Sequence, residues 1–523
     1  MRAGSAARLL VSLAACLALL AGCAPASAPE TDAPLPTAPG AQRPETPAAE
    51  EPEAPFGLAW QPSAGLNPYD CTVLSNRAAL SLICEPLFTV DGTYGAAPYL
   101  AESLTSSGDG RSHTLVLREG VTFSDGTALT AADAAASIQA ARDSAWYGSR
   151  LDVVATATAV SDRELTITTS AACGSLDALL NVYVVQAASV GTETPVGTGP
   201  YRVENGSLVR TDWWRDAAPA VEAEAISLTA VTSAAELRDE FEYGPVTVAC
   251  VDPNAGARLT YHTDYELWNL PTTVLQYIAF NRNSPVFSHA AARQAVLRAV
   301  DREALAADTA GGFAVASALP APPDSSRYDA DLAAEYGCDM ADAASILEAA
   351  GAAAGEDGTL ALPTDDGTQT LRGTLLVCGT SEQRVAAAQA VVDALNSLGF
   401  SLTLRTEDYS GYVSALNSGS YDVYYGEARL SPTLDLSPFF DQGGSLSYGS
   451  MADSEAAGLC DLTTENEGNA YDLYRYVLEQ GLLCPVLFKT YAVYADRGSV
   501  SGLQPCLDGV FTLPLTEQEL GTE

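Results

Sequence analysis

Between residues 374 and 426 the chain reads as strand, helix, strand, helix and strand, and that succession admits few folds. Residues 374–378 form an apolar run ending at Cys378. Ser381 is placed to cap a helix whose inner face carries Val385, Val391, Val392, Leu395 and Leu398, and Gly399 stands where a left-handed residue ends such a helix. Residues 400–404 alternate as a strand, a short helix is expected over 409–417, and residues 421–425 complete the set. A β-α-β-α-β order predicts a parallel sheet with right-handed crossovers. Ligands of such sheets meet the loops at the carboxyl ends of the strands. That rule nominates residues 379–381, 407–409 and 426–431, against the plainer reading of ordinary solvated loops.

Other segments give local structure. His113 to Arg118 alternates as a strand, Thr122-Phe-Ser-Asp-Gly126 reads as a turn, and Thr130 with Asp133 is a helix-capping pair. A further amphipathic helix is expected from about Ser288, with Ala292, Ala295, Val296, Ala299 and Val300 on one face. No internal repeat is evident.

The N-terminus carries the features of a leader. Arg2 and Arg8 precede a short apolar stretch from Leu9 to Leu20, too short to span a bilayer. Leu20-Ala21-Gly22-Cys23 then resembles a bacterial lipobox, which makes Cys23 the expected acyl acceptor and first mature residue. Residues 24–55, rich in Ala, Pro, Thr and Glu, bury too little surface to fold. At ~3 Å per residue they could extend a tether toward ~100 Å.

The remaining chain, within 523 residues, is too long for one ordinary core and implies two or more lobes. Of the net charge of −40, the leader's two arginines and the acidic tether leave about −37 on the folded part. So acidic a body is unsuited to nucleic acid, which demands a basic footprint. The nine cysteines after Cys23 are widely spaced, odd in number and without a C-x-x-C pair, so neither zinc nor redox chemistry is indicated. Most are expected to be small buried hydrophobes.

Several segments together resemble the bacterial extracellular solute-binding proteins of family 5, the peptide- and nickel-binding type. They are Leu66-Asn67-Pro68-Tyr69, Glu85-Pro86-Leu87-Phe88, the block from Tyr99 through Asp125-Gly126 to Asp133, and Gly197-Thr-Gly-Pro-Tyr201. Phe280-Asn281, Ala292-Arg293-Gln-Ala295, Asp301-Arg302 and Pro320 through Tyr328-Asp329 continue the series. The resemblance runs from about residue 57 to 513.

It implies an α/β, two-lobed periplasmic-binding-protein-like fold of type II, large cluster, with a hinge-closing cleft. Lobe I would take residues 56–270, with a subdomain inserted at about 95–190, and the return at 487–523. Lobe II would take 271–486. It also implies a monomeric substrate-binding lipoprotein of an ABC importer, held outside the cytoplasmic membrane. A small solute, a short peptide first, would pass to permease subunits, with no cofactor and no nucleic acid. A non-peptide anionic or metal-complex solute, or use as a sensor, is the alternative.

One position departs from the peptide-binding pattern, in which a Gly-Trp segment is followed by an aspartate that neutralises the peptide ammonium. Here the stretch is Gly426-Glu427-Ala428-Arg429-Leu430-Ser431. Three readings stand open: Glu427 takes the ammonium and Arg429 an acid group; Arg429 selects an anionic solute; or the two side chains, sharing a strand face, merely pair and shape the wall. Tyr425 and Tyr409 of lobe II, with Asn67 and Tyr69 of lobe I, complete the candidate ligand-binding set. A bare nickel ion needs imidazole or thiolate ligands. Of the three histidines, His113 and His289 read as surface residues, although a chelated metal remains open.

Catalysis is not expected. The chain has no H-E-x-x-H, and Gly443-Gly-Ser-Leu-Ser447 fails the nucleophile elbow at its last position. Lys489 is the only lysine, so an S-x-x-K hydrolase has no lysine in place, and Asp365-Asp366 reads as a solvated loop.

Overall fold

The computed structural model describes residues 56–255, 260–364, 367–500, 502–504 and 506–520. The expected leader, Cys23, the tether at 24–55 and Asp365-Asp366 lie outside them. Among the described residues no helix is long and apolar enough to cross a membrane.

The strand–helix alternation of residues 374–426 folds as its pattern dictates. Arg372–Cys378 pairs in parallel with Ser401–Glu407 on one side and with Val423–Arg429 on the other. The helix Glu382–Ser397 crosses between the first two, and its cap Ser381 accepts a hydrogen bond from the Arg384 N–H. The helix Tyr409–Ser418 makes the second crossing, capped by Asp408 and closed by Gly419 at φ 66°.

These strands belong to a six-stranded sheet ordered Ala314–Ala316, Leu483–Lys489, Val274–Phe280, Val423–Arg429, Arg372–Cys378, Ser401–Glu407. Val274–Phe280 runs antiparallel to both its neighbours and is buried along its whole length. Its partner Leu483–Lys489 contains Pro485, which has no N–H for the ladder. The register shifts opposite it, between Gln276 and Tyr277, as a bulge that accommodates the proline.

A seven-stranded sheet forms the first lobe, in the order Tyr201–Glu204, Ser207–Arg210, Ala225–Ala230, Phe56–Trp60, Val248–Val251, Tyr491–Asp496, Tyr265–Leu270. Beside it the four antiparallel strands Ala101–Ser106, Ser112–Leu117, Glu164–Thr169 and Val154–Ala159, with the helix Ala131–Arg142, occupy the stretch expected to be inserted. Thr130 and Asp133 form a reciprocal capping box at that helix. The core divides the same way, one cluster running from Leu275 to Phe488 and a second drawn from Phe56–Leu270 and Val493–Phe511.

The chain passes between the sheets twice, at Pro271–Thr273 and at Thr490. Lys489 is the last residue of one sheet and Tyr491 the first of the other, so the second crossing lies at 490, beyond the expected 486/487 boundary. The all-buried run Leu483–Lys489 pairs with two strands of the second lobe, and that pairing carries the boundary outward.

The resembling segments have physical roles. Gly197 and Gly199 press against the backbone at the end of the helix Leu74–Ile83, where a Cβ would stand 2.0 Å and 2.4 Å from the carbonyl oxygens of Ile83 and Leu82. Glu85 is buried and accepts hydrogen bonds from Trp213, Trp214, Tyr99 and Thr198. Burial raises its carboxyl pKa, an effect the Trp214, Thr198 and Tyr99 bonds and Arg215 oppose.

His113 is a correction to the sequence reading. Its side chain is fully buried between Ser106 Oγ at 2.9 Å and Thr169 Oγ1 at 3.5 Å, because the strand alternation turns it toward the sheet's helix-covered face. Burial lowers its pKa. His289 is half-buried at the N-cap of the helix Ala290–Ala299. All nine described cysteines are free thiols, eight of them buried and Cys338 exposed.

Candidate functional site

Of the three strand ends nominated by topology, two meet the first lobe. Ser381 Oγ donates to the carbonyl of Asn254, 2.9 Å away on that lobe. Val423–Arg429 lies next to Val274–Phe280, the strand continuous with the first crossing, so its carboxyl end sits at the junction of the lobes. Ser401–Glu407 is the outer edge strand, which carries residues 407–409 away from that junction. Tyr409 accordingly leaves 69% of its surface exposed, and Glu407 pairs with Arg405.

Glu427 and Arg429 share a strand face but have different partners. Glu427 accepts a hydrogen bond from Gln276 Nε2 at 2.8 Å and lies 3.4 Å from Lys489 Nζ and 3.9 Å from Arg384. Lys489 in turn stands 2.6 Å from Asp252, at the end of a first-lobe strand. Burial opposes the Glu427 charge, but Lys489, Arg384 and the Gln276 bond outweigh it and hold the carboxyl below its ordinary value. Burial likewise opposes the Lys489 charge, and Glu427 and Asp252 reverse the effect and raise its pKa.

Arg429 reaches the other way. Its guanidinium donates to the Tyr491 hydroxyl at 2.8 Å, lies 3.6 Å from Asp508, and sits 4.0 Å from the centre of the Trp146 ring. Arg77 lies the same 4.0 Å from that ring. Asp508 is bonded at 2.7 Å to Arg150, and its carboxylate is 7% exposed. Burial works against its charge, yet Arg150, Arg429 and Arg77 together hold its pKa below the usual carboxylate value.

Between these groups lies a small cavity, about 20 Å³ of free volume, with room for about one water. Arg77, Trp146, Tyr491 and Asp508 line it from the first lobe, Arg429 from the second, and Pro271 and Thr272 from the crossing.

Of the candidates only Arg429 lines this cavity; Glu427 and the others do not. Tyr425 is fully buried, and its hydroxyl donates to Gln276, whose amide holds Glu427. Asn67 bonds Asp70 and the Tyr69 N–H, and Tyr69 is buried against Tyr147. Their turn still serves the cavity: the Pro68 carbonyl accepts from Arg77, and the Tyr69 carbonyl from the Trp146 N–H. Sequence reasoning missed Arg77, Trp146, Arg150, Asp252 and Asp508, which converge only through the fold. Lys489, the sole lysine, carried a signal of its own.

The model of the bacterial extracellular solute-binding proteins, family 5 middle region, matches residues 95–447. The chain belongs to that family. The glutathione-binding protein GsiB of Shigella boydii serotype 4 is 27% identical over 283 residues, covering 49% of this chain and 54% of that protein. The chain thus spans about half the length of the curated relatives it matches. Among solved family 5-like folds, the nickel ABC transporter protein of Bacillus halodurans superposes with a TM-score of 0.69 at 21% identity, covering 85% of this chain and 95% of that one. The oligopeptide-binding protein AppA of Bacillus subtilis, in complex with a nonapeptide, gives 0.57 at 18% identity over 86% and 95%. At these identities the structures establish a shared two-lobed fold.

Proposed function

We propose that this family 5 protein is the extracytoplasmic substrate-binding component of an ABC importer. Cys23 anchors it by its lipid, and a small solute, first a short peptide, is captured between the lobes for a membrane permease. The carrying observation is Arg429, a second-lobe side chain that meets Tyr491, Trp146 and Asp508 of the first lobe around one cavity. Contacts made by both lobes only when they are together are what a ligand uses to bias hinge closure. Arg429 is proposed to face the ligand directly, and Glu427 to act through Lys489, which occupies its carboxylate. Tyr425, Asn67 and Tyr69 are proposed to act through neighbours, and Tyr409, beyond the outer edge strand, is assigned no ligand contact. The named specificities of the relatives, glutathione for GsiB and an oligopeptide for AppA, support a peptide.

The test is native mass spectrometry of the full chain purified from its host, followed by calorimetry with any compound it carries. A peptide released on denaturation, rebinding with one-to-one stoichiometry, is the expected result. A protein that carries and binds no small solute would overturn the reading.

A further inference from the structure

Resting on that solute-capture reading, we infer that the ligand is read by a carboxylate, held by Arg77, Arg429 and the Trp146 indole N–H, while the acidic position at Glu427 is filled by the chain's own Lys489. The two ends of the interlobe surface differ in charge balance. At Glu427 two carboxylates, Glu427 and Asp252, face two cations, Lys489 and Arg384, within 3.9 Å. A ligand ammonium would have to displace a lysine that is only 4% exposed. Two residues on, three guanidiniums face a single carboxylate: Arg77, Arg150 and Arg429 against Asp508. Asp508 spends its short bond on Arg150, and Arg429 stays 3.6 Å away. In a chain with 66 acidic and 26 basic residues, such a surplus of positive charge runs against the composition.

The orphaned groups point the same way. Arg77 is 3% exposed, and its Nε has no hydrogen-bond partner among the described residues. Trp146 Nε1, in the same cavity wall, is also buried without one. Both are donors, and a buried donor without an acceptor is costly. Arg429 and Arg77 stack at equal distance from the Trp146 ring, so the indole holds two like charges together. A carboxylate entering there would receive charge-assisted bonds and relieve that repulsion. The Cα atoms of Glu427 and Arg429 are roughly 7 Å apart on an extended strand. A ligand bound by its acid group at Arg429 finds the neighbouring acidic position already occupied by Lys489.

The experiment uses the full chain and tripeptide libraries in three forms: free acid, N-acetylated free acid and C-terminal amide. Small non-peptide dicarboxylates form a fourth arm. Native mass spectrometry and thermal shift report binding. Binding of both free-acid libraries and not of the amides is expected, and binding by the dicarboxylates alone would assign the carboxylate to a non-peptide solute. Arg429→Gln should weaken the bound class by about tenfold or more. Trp146→Phe, which keeps a ring and removes one donor, should weaken it less. Equal binding of amides and acids, or loss of binding on N-acetylation, overturns this inference and leaves solute capture intact. No binding in any arm overturns this inference, and solute capture falls with it only if the protein purified from its host also carries no solute.

Discussion

Lys489 Nζ stands 2.6 Å from the Asp252 carboxylate and 3.4 Å from that of Glu427, so the single lysine of the chain bridges the two lobes. It is the last residue before the second crossing, and its side chain is 4% exposed. Removing one partner of a buried charge group leaves the others uncompensated. Lys489→Met should therefore destabilise the protein by roughly 3–5 kcal/mol in urea unfolding. Adding Glu427→Gln removes one stranded carboxylate and should recover part of the loss. A single substitution without measurable cost would show the bridge to be solvated.

The three parallel strands of the second lobe's mixed sheet were legible because their signals are local: apolar periodicity, Ser381 as cap, Gly399 as terminator. The rule about strand ends then led to Glu427 and Arg429 with no structure in hand. It could not rank the three loops, since strand order places Ser401–Glu407 at the edge and Val423–Arg429 beside the crossing. Asp508 was invisible for another reason. It arrives from the C-terminal return, 358 residues from Arg150 and 79 from Arg429, and no local pattern marks such a meeting. His113 was misread because strand alternation alone does not say which face is covered.

Asp508 is also unusual in backbone, with φ 67° in the left-handed region. The segment around it is pinned by Asn181 bonding the Leu507 carbonyl and by Tyr183 bonding that of Asp508. Asp508→Asn keeps a residue type that tolerates this conformation but strips the charge from Arg150, and about 3 kcal/mol of stability should go with it. Asp508→Ala should cost about 1 kcal/mol more, for the backbone. Chemical denaturation of the pair separates the two effects; identical values would assign the whole loss to charge.

Gly197 is required for space. A methyl group there would lie 2.0 Å from the Ile83 carbonyl oxygen and 2.8 Å from its carbon, both backbone atoms that cannot rotate away. Gly197→Ala should destabilise by about 1–3 kcal/mol or more. A neutral result in thermal unfolding would mean that the helix Leu74–Ile83 can shift without loss.

The tether reading is tested separately from the cleft. Cys23→Ser removes the proposed acyl acceptor, and the protein should move from the membrane fraction to the soluble one with ligand affinity unchanged. Continued membrane association of the variant would contradict anchoring at Cys23.

Glu519 clasps the C-terminal return to the first lobe. Arg215 donates to both its oxygens, at 2.7 and 2.8 Å, and Thr516 adds its N–H at 2.7 Å. The Arg215 hydrogen bonds, set against a smaller effect of burial, bring its carboxyl pKa down to about 2 from 4.5. A carboxyl whose pKa is depressed by folding stabilises the folded state above its unfolded value. That contribution fades as the pH falls from about 4.5 toward 2. Glu519→Gln cannot ionise and lacks the contribution at every pH. Its melting temperature should therefore lie below that of the unsubstituted protein at pH 6, with the gap narrowing by pH 3. A gap that stays constant between those values would show that the Arg215 contact stabilises through packing alone, independent of the carboxylate charge.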